Sequence, residues 1–202
     1  MASTTQIANQ ALTKLGAARI TDLADISQKN ARTLNAIYTA KRDAELAAAP
    51  WTFAIKRASI PASTTAPDFG WAYSYPMPTD FLRLVQVGDA YVFYETDEAL
   101  FSVESDPATG RQAVLTDSAS PLQIRYVYRV TNPGLHPALF DEALACRLAA
   151  EACEDITQNL SKRQAAWEEH KQALRAARRV NAIEQPPQRN PNGSWVSALL
   201  EG

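Results

Sequence analysis

The chain has 202 residues, 46% hydrophobic, 21% charged and 8% aromatic, which excludes a wholly disordered polymer and supports a core that needs no covalent staples. Twenty basic and 22 acidic side chains leave a net charge of −2, which excludes a globally basic nucleic-acid coat. No apolar run approaches the ~20 residues of a membrane span, and the start MASTTQIANQ lacks the pattern of a signal peptide, so a soluble, intracellular protein is expected.

The first third reads as helical. Ile7, Ala8, Ala11, Leu12 and Leu15 form one stripe at helical spacing, Thr4 or Thr5 is placed to cap its start, and Gly16 stands where a helix stops. Ile20, Leu23 and Ile26 should pin the connection that follows to the core. A second helix is expected over about 27–49, capped by Ser27 and ended by Pro50. Its buried face carries Ala31, Leu34, Ile37, Tyr38 and Leu46, with a weaker patch at Lys41 and Arg42.

The middle changes character. Trp51, Phe53 and Ile55 alternate with polar or small residues as a strand does, and a Ser/Thr/Pro/Ala-rich loop covers about 59–69. Strands are expected at 71–75, 81–87, 91–94, 100–104, 112–116 and 122–130, separated by Pro, Gly and Asp turns. That spacing suggests a small sandwich or barrel. Ile124, Tyr126, Tyr128 and Val130 should share one face of the last strand, with Trp51 and Phe53 as core aromatics at the junction.

Helix then returns. Pro137 fits the first turn of a helix over about 138–158, with Leu144, Leu148, Ala152 and Ile156 as its core stripe. Asn159–Ser161 breaks it, and Ser161 is placed to cap a fourth helix reaching about Val180. The fold class is therefore α+β: an antiparallel helical bundle from 1–50 and 131–180, an inserted all-β domain over 51–130, and an extended Pro-rich tail over 181–202.

Motifs of catalysis are missing. There is no Gly-rich phosphate loop, G-x-S-x-G or H-E-x-x-H. Cys146 and Cys153 lie seven apart on one expected helix, ~10 Å along its axis, too far for a disulfide. His136 and His170 show no ligand spacing with them, so no metal or cofactor is expected, and the chain is not expected to be an enzyme. A cell-envelope glycan hydrolase would need two carboxylates in one cleft, for which Asp80, Asp89, Glu95 and Asp97 are motif-free candidates. Lys171, Arg175, Arg178 and Arg179 make the fourth helix basic. They suit the negative end of a helix, a protein interface, or a nucleic-acid-binding module. Beyond the Pro-rich linker, Trp195, Val196, Leu199 and Leu200 form an apolar cluster that either folds back or docks on a partner.

The segment from Ala11 to Ala58 has a first helix ending in Leu-Gly, a short Ile-x-x-Leu connection, Asn30-Ala31-Arg32, and a long helix closing on Pro50-Trp51-Thr52-Phe53. This pattern resembles the N-terminal part of the podovirus tail tubular protein A family, the head-to-tail adaptors. Gly193-Ser194-Trp195 with Leu199-Leu200 is similar to the apolar ends of such adaptors. The N-terminal match spans about a quarter of the chain, and the order of elements matches over nearly all of it. The resemblance implies a virion protein assembled in the host cytoplasm. It implies a ring, dodecameric in this family, that joins the portal protein to the tail nozzle. Trp195, Val196, Leu199 and Leu200 would be the portal-docking tail, and genomic DNA would pass through the channel without sequence-specific binding. It implies no catalysis and no membrane.

Overall fold

The computed structural model describes residues 3–88, 90–91, 100–106 and 109–184. Among these residues it is an α+β protein with four α-helices and two small antiparallel sheets that do not close into a barrel. The tail residues Trp195, Val196, Leu199 and Leu200, and the carboxylates Asp89, Glu95 and Asp97, lie outside the described residues.

Helix α1 spans Thr4–Leu15 and buries the expected stripe of Ile7, Ala8, Ala11, Leu12 and Leu15. Its cap is Ser3 rather than Thr4 or Thr5: Ser3 Oγ accepts from the Gln6 amide at 3.1 Å, and Gln6 Oε1 accepts from the Ser3 amide at 3.0 Å. Each side chain thus satisfies an amide the helix leaves free. Gly16 ends it with φ +68°, a left-handed position that suits glycine, and its N–H reaches back to the last turn. Ile20 and Leu23 are buried, but Ile26 is 61% exposed and pins nothing.

Helix α2 spans Lys29–Ala47 and starts two residues later than its expected Ser27 cap. Ser27 is turned instead toward Asp25, donating to Oδ1 at 2.6 Å. After it, Trp51 and Phe53 are not in a strand, because Thr52–Ala54 forms a 3-10 turn. The Trp51 side chain, 1% exposed, sits in the helical core, and the extended backbone of β1 (Ile55–Ile60) begins only beyond the turn.

The strands β2 (Tyr73–Pro76), β3 (Phe81–Val87), β4 (Ala90–Tyr91), β5 (Ser102–Asp106), β6 (Arg111–Thr116) and β7 (Leu122–Tyr128) fall on the expected segments, shifted by up to two residues at their starts. They form one sheet in the order β1-β7-β3-β4 and another in the order β2-β6-β5. The first and last strands of the insertion, β1 and β7, pair directly from Ile55↔Val127 to Ile60↔Leu122. The insertion therefore leaves and re-enters the helical layer at one place.

Alternation along β7 sends its side chains to two cores. Leu122, Ile124 and Tyr126 join Ile60, Tyr75, Leu84, Val87 and Val114 in a cluster drawn from both sheets. Val127 faces the other way, into the helical cluster with Val85. Val130 lies past the end of β7 and belongs to that helical cluster, so it does not share the face of Ile124 and Tyr126.

Helix α3 (Ala138–Thr157) follows Pro137 and is the spine of the helical layer, packing on α1, α2 and α4. Leu144, Leu148 and Ala152 are buried as expected, and Ile156 packs partly against the same cluster. Helix α4 spans Leu160–Glu184. Its start is capped by Asn159 rather than Ser161, with Asn159 Oδ1 accepting from the Lys162 amide at 3.1 Å.

Candidate functional site

The polar heart of the helical layer lies where α2, α3 and α4 meet. The apolar stripe of α2 runs through Ala31, Leu34 and Tyr38 and then continues into Arg42 and Glu45, both buried. Burying a carboxylate is costly unless it is paired and hydrogen-bonded. Glu45 Oε1 meets both requirements, 2.7 Å from His170 Nε2 of α4 and 3.0 Å from Arg147 Nη1 of α3. Arg147 also reaches Glu151, which accepts a 2.6 Å hydrogen bond from Lys41. Burial alone would raise the Glu151 carboxyl, but the hydrogen bonds and charges of Lys41 and Arg147 together outweigh it and hold the group below its ordinary range. The Arg147 guanidinium lies over the Trp167 ring, 5.3 Å from its centre, and that ring meets His170 edge-on. Five charged or titratable side chains from three helices thus form one connected chain.

The same region ends α2. Carbonyls of its last turn and cap accept from tertiary donors. Trp51 Nε1 donates to Glu45 O at 2.8 Å, Arg83 Nη1 of β3 to Ala47 O at 3.1 Å, and Arg178 Nη2 of α4 to Ala48 O at 3.0 Å. Asp43 completes the join, accepting from Arg42 at 2.8 Å and from Arg129, just past β7, at 2.7 Å. Beside it, Trp51, Phe53, Phe140 and His136 pack as a ring cluster, and His136 Nδ1 lies 2.9 Å from Asp141 Oδ1. These contacts fix the β insertion onto the helical layer.

Of the predicted basic residues, the structure assigns Arg178 to this cap. Lys171 pairs with Glu168 one turn away at 2.8 Å, and Arg175 and Arg179 are exposed. All four sit at i, i+4, i+7 and i+8 on one side of α4. They do not serve the helix's negative end, because α4 continues to Glu184 and its last turn holds no basic residue. The extension has a clear cause. Asn181 Oδ1 accepts from the Thr52 amide at 2.8 Å, Asn181 Nδ2 donates to Pro50 O at 3.1 Å, and Thr52 Oγ1 donates to Glu184 at 2.9 Å. Residues 181–184 are therefore helix, not the start of an extended tail.

Nothing in this site resembles a nucleophile with its base. Burial pushes the Cys146 thiol up, which disfavours the reactive thiolate, and Cys153 is buried against Thr157. Asp80, one of the motif-free hydrolase candidates, is engaged by Lys56 and by the Tyr126 hydroxyl at 2.9 Å. Burial would raise its carboxyl, but those two partners hold it below the ordinary range, while burial and Asp80 push the Tyr126 phenol up to about 12. Among the described residues there is no cluster of metal-ligating side chains and no helix long and apolar enough to cross a membrane. No protein-family model matches the chain, and no curated protein matches it.

The Glu45–His170–Arg147 junction is what the sequence reading missed. Its signal was present in α2, where Arg42 and Glu45 occupy positions that the stripe of Ala31, Leu34 and Tyr38 marks as buried.

Proposed function

We propose that the chain is a structural head-to-tail adaptor of a short-tailed phage. In this reading copies of it form a ring in the virion connector, between the portal protein and the tail nozzle protein, around the path of the genomic DNA. The helices act as a bundle, the two sheets act as the inserted β domain, and no reaction is catalysed.

The observation that carries this reading is helix α4. It has 25 residues, yet only Ala166, His170 and Ala177 are buried. At 1.5 Å per residue it is a rod of ~37 Å, and α3 is the one helix it packs on extensively. Leu160, Val180 and Ile183 on it are 67%, 44% and 75% exposed. A long, rigidly anchored rod with an exposed side suits lateral packing between ring neighbours. The resemblance of the N-terminal segment and of the Gly193–Leu200 end to adaptors supports the same assignment. The aligned Lys171, Arg175 and Arg179 give such a rod a basic edge that suits DNA passing nearby without sequence readout.

Co-sedimentation with the portal protein of the same genome tests this. Full-length chain and a chain ending at Glu184 are compared, since ending at Val180 would remove the Asn181 and Glu184 contacts. Saturable binding at ring stoichiometry, lost without residues 185–202, is the expected result. Absence of binding by both forms refutes the adaptor reading.

A further inference from the structure

The β2-β6-β5 sheet carries a cavity on its outer face, away from the helical junction. Tyr75 of β2 is fully buried in the cluster between the sheets, so alternation turns Ser74 to the opposite face. There Ser74 lies across from Leu115 of β6, and Ala113 of β6 lies across from Glu104 of β5. The loop between β1 and β2 supplies the other wall. It is tied down where the Ser63 amide donates to Ser74 O at 2.7 Å and the Ala72 amide donates to Asp117 Oδ1 at 2.8 Å. Gly70, with φ +85°, turns it between Phe69 and Trp71. Between loop and sheet the cavity measures about 370 Å³, a size typical of small-ligand sites.

Its lining has one sign of charge. Asp68 and Glu104 bring carboxylates, and among the described residues no Lys, Arg or His lines the cavity. Glu104 accepts from Ser102 Oγ at 2.9 Å, and neither carboxylate is in an ion pair with a described residue. A third, Asp106, is held by Thr109 Oγ1 at 2.8 Å. Ser74 is 8% exposed, yet its hydroxyl has no hydrogen-bond partner among the described residues. Buried polar groups are normally satisfied, and the cavity that Ser74 lines is where a partner can reach it. Phe69, 88% exposed, and the half-buried Trp71 add aromatic rings to the same site.

Carboxylates attract a cation, ring faces attract it through their quadrupole, and the Ser74 oxygen can accept from it. Arginine meets all three, because its flat guanidinium stacks on a ring while its N–H fork reaches carboxylate oxygens. Phosphate-bearing ligands are repelled by the same lining. We propose that this cavity receives an arginine side chain of a partner protein, held by Asp68, Glu104 and Ser74 against Phe69 and Trp71. Arginine is a common anchor residue at protein interfaces. The assignment goes beyond the adaptor reading and does not rest on it.

The test uses the full chain labelled with 5-fluorotryptophan, with the Trp71 resonance identified by Trp71→Phe. The probe is a short Gly/Ser peptide with blocked termini and one central arginine. The expected result is a saturable shift of the Trp71 signal with a Kd of about 1 mM. Citrulline, the neutral isostere, should bind at least about tenfold more weakly in the same peptide. Salt at about 0.5 M should weaken the arginine peptide several-fold. Asp68→Asn and Glu104→Gln should each weaken it about threefold to tenfold, and Phe69→Ala about threefold. Asp68, Phe69 and Glu104 are exposed, so these variants keep the fold, and unmoved Trp51 and Trp167 signals verify this. A Trp71 signal that stays still at tens of millimolar peptide overturns the proposal. So does equal affinity for the citrulline peptide, or binding that both carboxamide variants leave intact. A neutral disaccharide that binds more tightly than the arginine peptide assigns the cavity to a glycan and overturns it equally.

Discussion

Glu45 and His170 lie 125 residues apart in sequence and meet at 2.7 Å inside the helical layer. Their side chains are 1% and 6% exposed, and Arg147 shares the same carboxylate oxygen. The contact ties the second helix to the fourth across the third, so it spans both halves of a helical layer that the β insertion separates in sequence. Removing one member of a buried pair leaves the other without its partner, which costs about 3 kcal/mol. Glu45→Ala should lose about that much, because it strips both His170 and Arg147 of their partner, and His170→Ala somewhat less, because Arg147 still pairs with the carboxylate. The double variant should cost at least about 1 kcal/mol less than the sum of the two. Urea unfolding of the four chains measures this, and additive losses would show that the contact carries no coupling.

A basic helix is easily mistaken for a uniform binding surface, and Arg178 breaks that uniformity. Exposed like Arg175 and Arg179, it nonetheless donates to the Ala48 carbonyl. Arg178→Ala should lower stability by about 0.5–1 kcal/mol, the range of one hydrogen bond at a partly wet site. Lys171→Ala, Arg175→Ala and Arg179→Ala should stay within about 0.5 kcal/mol of the parent. Thermal melts of the four single variants check this. Equal losses across all four would remove the distinction.

The elements that could be read from sequence are those whose signal is local. The stripe of α1 and that of α3 are uninterrupted apolar series, and β3 matches its expected bounds of 81–87. The failures share one cause, which is that the deciding partner is remote in sequence. Glu45 sits on the buried stripe of α2, but nothing local in the sequence names His170 and Arg147 as its partners. The end of α4 looks like a linker because Pro186 is near, yet Asn181 and Glu184 are held by Pro50 and Thr52. Trp51 looks like a strand residue because its neighbours alternate, but its ring is drawn into the helical core against Phe140. The misplaced caps are a different error. Ser3 and Asn159 were each within two residues of the candidates named, and only the bond to the third amide identifies them.

Asp80 gives the insertion a dependence on acid. It joins the start of β3 to Lys56 of β1 and to Tyr126 of β7, and its carboxyl sits below the ordinary value near 3.8. A group whose folded value is depressed contributes stability that is full above the unfolded value and is lost as pH falls through the folded one. The contribution should therefore be complete above about pH 5 and disappear below pH 3.8. Asp80 and Lys56 are both partly exposed, so the difference at pH 7 should stay below about 1 kcal/mol. Asp80→Asn should lower stability at pH 7 and flatten the acid limb of the curve. Parallel curves for parent and variant from pH 7 to pH 3 would contradict the assignment.

The last turn of α4 makes a prediction about where the chain can be cut. Asn181 satisfies the Thr52 amide and the Pro50 carbonyl, and Glu184 accepts from the Thr52 hydroxyl. These bonds hold the turn that seats Trp51, which is 1% exposed. A chain ending at Glu184 keeps all of them. A chain ending at Val180 loses the Asn181 and Glu184 bonds, leaves the Thr52 amide to water and frays the helix beside Trp51. It should be less stable than the longer form by about 1–2 kcal/mol, the sum of two or three modest hydrogen bonds. The added loss should be absent in a background carrying Asn181→Ala and Thr52→Ala, where the same bonds are already gone. Urea midpoints of the two truncations in both backgrounds decide the matter. Equal midpoints in the parent background would show that residues 181–184 do not brace the junction.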